Sequence, residues 1–179
     1  ALGTPAAVLA GIAQAARNGV LIKGGEYLES LGSITALALD KTGTLTVGEP
    51  EATDLVPADG VSEEILLLHA ASVEQRSQHP LARAVVRAAE RRAMVLRDVG
   101  DLTAVMSRGV RATVDGAVVE VGRALLFEDA GVKVPSAIQA AVEQLEAKGR
   151  STMIVRRIGH TPEFLGVLGM ADQPRENAG

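Results

Sequence analysis

The chain has 179 residues, a net charge of −4, 47% apolar and 2% aromatic residues, and no cysteine. That length suits one mid-sized domain, or one domain with part of a second, and its core must be built from Ala, Val, Leu and Ile. No dense Lys/Arg block occurs, which argues against nucleic acid as the main partner. The missing Cys excludes disulfides and thiolate metal sites, and the three His, at 69, 79 and 160, lack metal-ligand spacing.

Starting at Ala1 without Met and stopping just after a charged turn, the chain is read as a fragment. Residues 4–16 are small and apolar but number only about a dozen, short of the roughly 20 that a membrane span needs. They are expected to form an Ala-rich amphipathic helix, Pro5 to Arg17, stopped by Asn18-Gly19; the tail of a membrane helix is the alternative. Val20-Leu21-Ile22 and Gly24-Gly25 follow, then a short helix from Tyr27 to Leu31. Ile34 to Leu39 is apolar and uncharged, and predicts a buried strand running straight into Asp40.

After Gly48-Glu49-Pro50 the character changes. Ser62, with Glu63 and Glu64, opens a helix to about Glu74, and Pro80 opens another to about Ala93. Residues 109–121 alternate around Asp115-Gly116, a hairpin-turn dipeptide. Pro135 opens a helix that Gly149 closes. Thr152 to Arg157 and Phe164 to Met170 are expected strands, joined by a turn containing Gly159 and Pro162. Region 49–171 is thus an α+β unit, an antiparallel sheet flanked by helices.

Asp40-Lys41-Thr42-Gly43-Thr44-Leu45-Thr46 carries the chemistry. An apolar strand would deliver the Asp40 carboxylate to its C-terminal end, where α/β sheets bind phosphates. The hydroxyl-rich Gly turn after it offers N–H groups and Thr44 to phosphoryl oxygens. Asp40 would attack the γ-phosphorus of ATP to form an aspartyl phosphate. Mg2+ would bridge Asp40 and the phosphate, with the Thr42 carbonyl as a further ligand.

This heptapeptide matches the signature of P-type ATPases. The wider haloacid-dehalogenase-like phosphatases share the nucleophile strand but carry a second Asp two positions on, where this chain has Thr42. Without that acid–base group the phospho-aspartate lasts long enough to drive a conformational change, which favours a pump over a phosphatase. Asp40, Lys41, Thr42 and Thr44 are the expected catalytic group, with Asp40 and Thr42 on the metal.

A second motif, Glu74 followed by Ser77-Gln78-His79-Pro80-Leu81, resembles the Ser-x-His-Pro-Leu signature of the heavy-metal-transporting members. The resemblance implies that His79 stacks on or hydrogen-bonds adenine and that Glu74 accepts from its exocyclic amine. Ser107-Arg108-Gly109-Val110 resembles the family's Gly-x-Gly-Val, with Ser107 departing from it. Val119-Glu120-Val121-Gly122-Arg123 resembles a strand ending in Gly-Asn, with Arg123 replacing the Asn. Thr152 falls in a Gly-x-Thr-like turn. Asp172 and Arg175 fall in the return hinge, where they would help align the nucleotide. Glu74, Ser77, His79, Pro80, Gly109, Gly122, Thr152, Asp172 and Arg175 are the implied cofactor-binding set.

The resemblance implies four segments: a membrane-proximal helical part at 1–32, the start of a Rossmann-like phosphorylation domain at 33–48, an inserted nucleotide-binding domain at 49–171, and a return hinge at 172–179. It implies ATP and Mg2+ as cofactors, a cytoplasmic place for this segment, and a membrane-embedded intact pump carrying a heavy-metal cation. The run from Thr4 to Ile12, Thr-Pro-Ala-Ala-Val-Leu-Ala-Gly-Ile, resembles zinc, cadmium or cobalt exporters more than copper(I) exporters.

Overall fold

A computed structural model describes residues 3–175, apart from the side chains of Lys41, Thr42 and Pro174. The chain divides into two compact units, Ala1–Leu39 and Asp40–Gly179.

In the first unit, α1 (Gly3–Arg17) and α2 (Gly25–Leu31) pack where glycines let them approach. A Cβ on Gly11 would stand 2.9 Å from Leu28 Cδ2, and one on Gly25 would stand 2.8 Å from Val8 Cγ1. Among the described residues no helix is long and apolar enough to cross a membrane. Residues 34–39, expected as a buried strand, are not one: they pair with no other segment, and Ile34, Leu37 and Leu39 are 50%, 72% and 53% exposed. The physical reason is the lack of a partner. A buried parallel strand needs neighbours on both edges, and every strand described here belongs to one antiparallel sheet.

The second unit begins with a single π-helical turn, Lys41–Leu45. The strands are β1 (Thr46–Pro57), β2 (Val99–Val105), β3 (Gly109–Val114), β4 (Ala117–Gly122), β5 (Ser151–Ile158) and β6 (Pro162–Pro174). They form a sheet of order β1-β6-β5-β4-β3-β2. The ladder between β1 and β6 runs from Thr46↔Pro174 to Pro57↔Gly166, so the sheet extends past positions 49 and 171. Asp115 and Gly116, both with positive φ, make the two-residue turn of the β3–β4 hairpin.

Helices cover both faces. α3 (Glu63–Glu74) starts where Ser62 Oγ accepts from the Ile65 N–H at 3.2 Å, and Glu63 and Glu64 meet the positive end of its dipole. α4 (Pro80–Arg91) starts with Pro80 in the first turn. Leu66, Leu67 and Val85 from this pair bury against Val119, Val121 and Val155 of the sheet. On the opposite face α5 (Ala124–Asp129) and α6 (Ser136–Ala147) supply Phe127, Ile138 and Leu145, which pack with Ile154 and Val167. The alternation Met153, Ile154, Val155 along β5 divides between the two cores, as a period of two requires. The chain's two Phe, Phe127 and Phe164, meet in the second core with ring centroids 5.5 Å apart. α6 ends at Gly149, φ 73°, where the Arg150 N–H reaches back to the Leu145 carbonyl at 3.0 Å.

One row of side chains crosses the sheet. Arg111, Glu120, Arg156 and Phe164 are successive register partners on β3, β4, β5 and β6. Glu120, 2% exposed, accepts from Arg111 Nε at 2.9 Å and from an Arg156 terminal nitrogen at 3.1 Å. The Arg156 guanidinium lies 5.7 Å from the Phe164 ring centroid. A buried carboxylate is tolerated here because two guanidiniums compensate it.

Candidate functional site

The loop between α3 and α4 carries the second sequence motif. His79 is the N-cap of α4: its Nδ1 accepts from the Leu81 N–H at 3.2 Å. Because the backbone nitrogen can only donate, Nδ1 must be the bare nitrogen of a neutral ring, leaving Nε2–H as a donor. The His79 N–H in turn donates to Ser77 Oγ at 3.3 Å, and the Ser77 N–H donates to the Glu74 carbonyl at 2.9 Å. This chain of short-range bonds holds the loop and leaves the His79 ring exposed.

Glu74 closes α3 and is 4% exposed. Burial pushes its carboxyl up to about 7, against the lowering effect of a hydrogen bond from Ser77.

The loop opens onto a cavity of about 590 Å³, within the size range of small-ligand sites. Glu74, Ser77, His79, Gly109, Gly122 and Thr152 all line it. They come from α3, the α3–α4 loop, β3, β4 and β5. Leu102, Ala104 and Met106 add an apolar wall from β2 and the turn after it, and Met106 is 89% exposed. Pro80 opens α4 next to His79 without lining the cavity. Thr152 Oγ1 donates to Glu146 Oε1 at 2.9 Å.

Gly109 and Gly122 are bare because the backbones there nearly touch. A Cβ on Gly109 would fall 2.2 Å from the Val121 carbonyl oxygen, and one on Gly122 2.3 Å from that of Arg108. Ser107 sits at φ 60° in a turn closed by the Arg108 N–H donating to the Val105 carbonyl at 3.0 Å. The departure from glycine at Ser107 therefore leaves a left-handed backbone in place.

The structure does not bring Asp172 and Arg175 to this cavity. They hold the turn of the first motif instead. Asp172 accepts from the Thr46 hydroxyl and from the Gly48 N–H, the latter at 3.0 Å. Arg175 donates to the carbonyls of Thr46 and Gly43, each at 3.0 Å, and its N–H donates to the Leu45 carbonyl at 2.9 Å. Asp40 and Thr44 are exposed at this turn; the side chains of Lys41 and Thr42 lie outside the described residues. No group of three or more His, Cys, Asp or Glu suited to a metal occurs among the described residues.

The haloacid dehalogenase-like hydrolase family matches residues 34–179. The chain is also 41% identical, over 99% of its length, to a zinc/cadmium/lead-transporting P-type ATPase of Escherichia coli, covering 23% of that protein. It belongs to the haloacid dehalogenase-like hydrolases. A probable copper-exporting P-type ATPase of Archaeoglobus fulgidus is 40% identical over 99% of the chain and 21% of that protein. The crystal structure of a zinc-transporting PIB-type ATPase in its E2.Pi state superposes with a TM-score of 0.78 at 40% identity, over 98% of this chain and 28% of that one. The chain thus spans about a quarter of the length of these relatives.

Three features of the cavity escape sequence reasoning. β2 is one, because a register shift between Gly100 and Thr103, with Asp101 at φ 44°, breaks its alternation. The Met106 wall depends on it. The arginines at the cavity, Arg76, Arg108 and Arg123, are the third; Arg123 stands out in sequence only as a replacement for Asn.

Proposed function

We propose that the chain is the nucleotide-binding and phosphate-accepting part of an ATP-driven heavy-metal exporter, and that adenine occupies the cavity beside His79. The observation that carries this reading is convergence: Glu74, Ser77, His79, Gly109, Gly122 and Thr152, spread over 79 positions of sequence from 74 to 152, line one cavity. The exposed face and Nε2–H of His79 suit a base. The Glu74 carboxyl suits an exocyclic amine. The apolar wall at Leu102, Ala104 and Met106 suits the flat faces of a purine.

Asp40 is the acceptor in this reading. Its carboxylate oxygen forms a bond to the γ-phosphorus while the bond from that phosphorus to the ADP oxygen breaks, giving an acyl phosphate on Asp40 and ADP. The donors at Asp40 and the Thr42 carbonyl are all oxygen, a set that suits Mg2+ when phosphate oxygens complete its shell. These two residues would hold it, and when bound it supplies charge neutralisation to the phosphates. Asp172 and Arg175 act by bracing the Gly43–Gly48 turn that presents Asp40. The intact pump is a membrane protein, and this segment faces the cytoplasm. For the ion, zinc, cadmium or cobalt is preferred, on the run from Thr4 to Ile12 and the name of the Escherichia coli relative. Copper(I) is the alternative, supported by the Archaeoglobus relative.

ATP titration followed by chemical shifts tests the reading. His79→Asn keeps a short side-chain acceptor for the Leu81 N–H, so the cap survives while the ring is lost. Losing one base contact weakens binding about 5- to 150-fold, whereas Asp40→Asn leaves affinity unchanged. Parent-like affinity in His79→Asn would place the base elsewhere. Steady p-nitrophenyl phosphate turnover that disappears in Asp40→Asn would favour a phosphatase of the same family instead.

A further inference from the structure

The arginines of the sheet unit are almost all engaged. Arg91, Arg92, Arg97, Arg108, Arg150 and Arg157 pair with carboxylates, and Arg111 and Arg156 share Glu120. Arg83 donates to Gln78, Arg87 to the Pro50 carbonyl, and Arg175 to the carbonyls at the motif turn. Two are left. Among the described residues neither Arg76 nor Arg123 has a side-chain hydrogen bond or ion pair, and both line the cavity that holds Glu74 and His79. Both are exposed.

The charge balance at that cavity is one-sided. Arg76, Arg108 and Arg123 line it against a single acid, Glu74, which burial holds largely neutral below about pH 7. Arg108 is already paired with Asp129. The whole chain carries −4, so the excess of positive charge here is local. Arg123 follows Gly122, whose missing side chain keeps the backbone low at the cavity wall, and its own N–H is tied to the Arg108 carbonyl at 2.9 Å. Arg76 lies between Glu74 and Ser77, in the α3–α4 loop that also lines the cavity. Two guanidiniums with free donors, brought to one cavity by separate elements, fit a ligand with several anionic oxygens, because each planar fork can take two oxygens at once.

We propose that Arg76 and Arg123 form a cationic clamp on the phosphate chain of the adenine nucleotide seated in this cavity. The clamp rests on the base-binding reading above and gives Arg123, where the related pattern has Asn, a role of its own. It makes affinity depend on phosphate number and on ionic strength, neither of which the apolar wall or His79 supplies.

The test compares adenosine, ADP and ATP in Mg2+-free buffer, at low and moderate salt, by calorimetry on the whole chain. Arg76→Gln, Arg123→Gln, their double variant and Arg123→Lys are compared with the parent. Since neither side chain has a partner to lose, thermal midpoints should stay within a degree or two. The parent should bind ATP and ADP more tightly than adenosine, with a gap that shrinks as salt rises. Each Gln variant should weaken ATP about 3- to 10-fold, and the double variant more, with adenosine unchanged. Arg123→Lys should keep part of the difference. Equal losses for adenosine and ATP, or no loss for ATP, overturn the clamp while leaving the His79 result standing. Selective ATP loss in the double variant alongside parent-like His79→Asn would keep a phosphate site at the two arginines but overturn its assignment to a nucleotide whose base sits beside His79.

Discussion

Gly109 and Gly122 are register partners across β3 and β4, and each is the residue whose absent side chain lets the other's strand approach. A Cβ on Gly109 would also come within 2.6 Å of the Gly122 Cα. The pair therefore does two jobs: it closes the hairpin ladder at its open end, and it forms bare wall for the cavity. Gly109→Ala and Gly122→Ala must push backbone against backbone, which no rotamer change relieves. Each is expected to destabilise the sheet unit by at least about 2 kcal/mol. Both should weaken ATP more than unfolding explains, measured by titration well below the thermal midpoint.

The Arg111–Glu120–Arg156 row is the second place where one substitution should be felt strongly. The Arg156 side chain is only 13% exposed, while that of Arg111 is 49% exposed. Removing the carboxylate lets Arg111 return to water but strands Arg156 in the second core. Glu120→Ala should cost about 3–5 kcal/mol in urea unfolding. The double change Glu120→Leu with Arg156→Leu should recover much of that loss, because an apolar pair needs no compensation. If the double variant is as unstable as the single one, the row contributes through shape and not through charge.

Ser107 offers a gain. Its φ of 60° costs a non-glycine residue roughly 1–2 kcal/mol, whereas glycine costs about 0.4–1 kcal/mol through the unfolded chain. The difference favours Ser107→Gly by roughly 0.5 kcal/mol, read as a higher denaturant midpoint at unchanged slope.

Much of this was legible in sequence where local chemistry decides structure. Ser62, Pro80 and Gly149 act as helix punctuation, and Asp115-Gly116 makes the hairpin turn, because caps and turns need only neighbouring residues. β1 and β2 were not legible. Pro50 and Gly48 resemble a turn but lie in an edge strand that tolerates them, and register shifts at Thr46–Pro50 and Gly100–Thr103 hide the period of two. The apolar run 34–39 shows the opposite failure. Its composition suits a buried strand, but burial is a property of neighbours, and the described sheet offers it none. At the cavity, motif residues were legible as residue types. The free guanidiniums were not, since whether an arginine is paired is decided by strands far apart in sequence.

Glu74 makes the last prediction, because its carboxyl has two pH dependences of opposite sign. Burial raises it to about 7 from an ordinary 4.5, so the folded chain keeps a proton that the unfolded chain releases. The resulting stabilisation is complete below about pH 4.5 and is lost as pH rises through 7, at most about 3 kcal/mol over that window. Glu74→Gln should remove this slope, so the stability difference between parent and variant should drift towards the variant from pH 5 to pH 8. Nucleotide binding should run the other way. An ionised carboxylate is the stronger acceptor for the adenine amine, so parent affinity for adenosine should tighten across the same range, and the variant's should tighten less. Urea midpoints and adenosine titrations at pH 5.5, 6.5, 7.5 and 8.5 on both proteins separate the two effects. Parallel pH profiles for binding in parent and variant would mean that Glu74 supports the loop through Ser77 and does not meet the base.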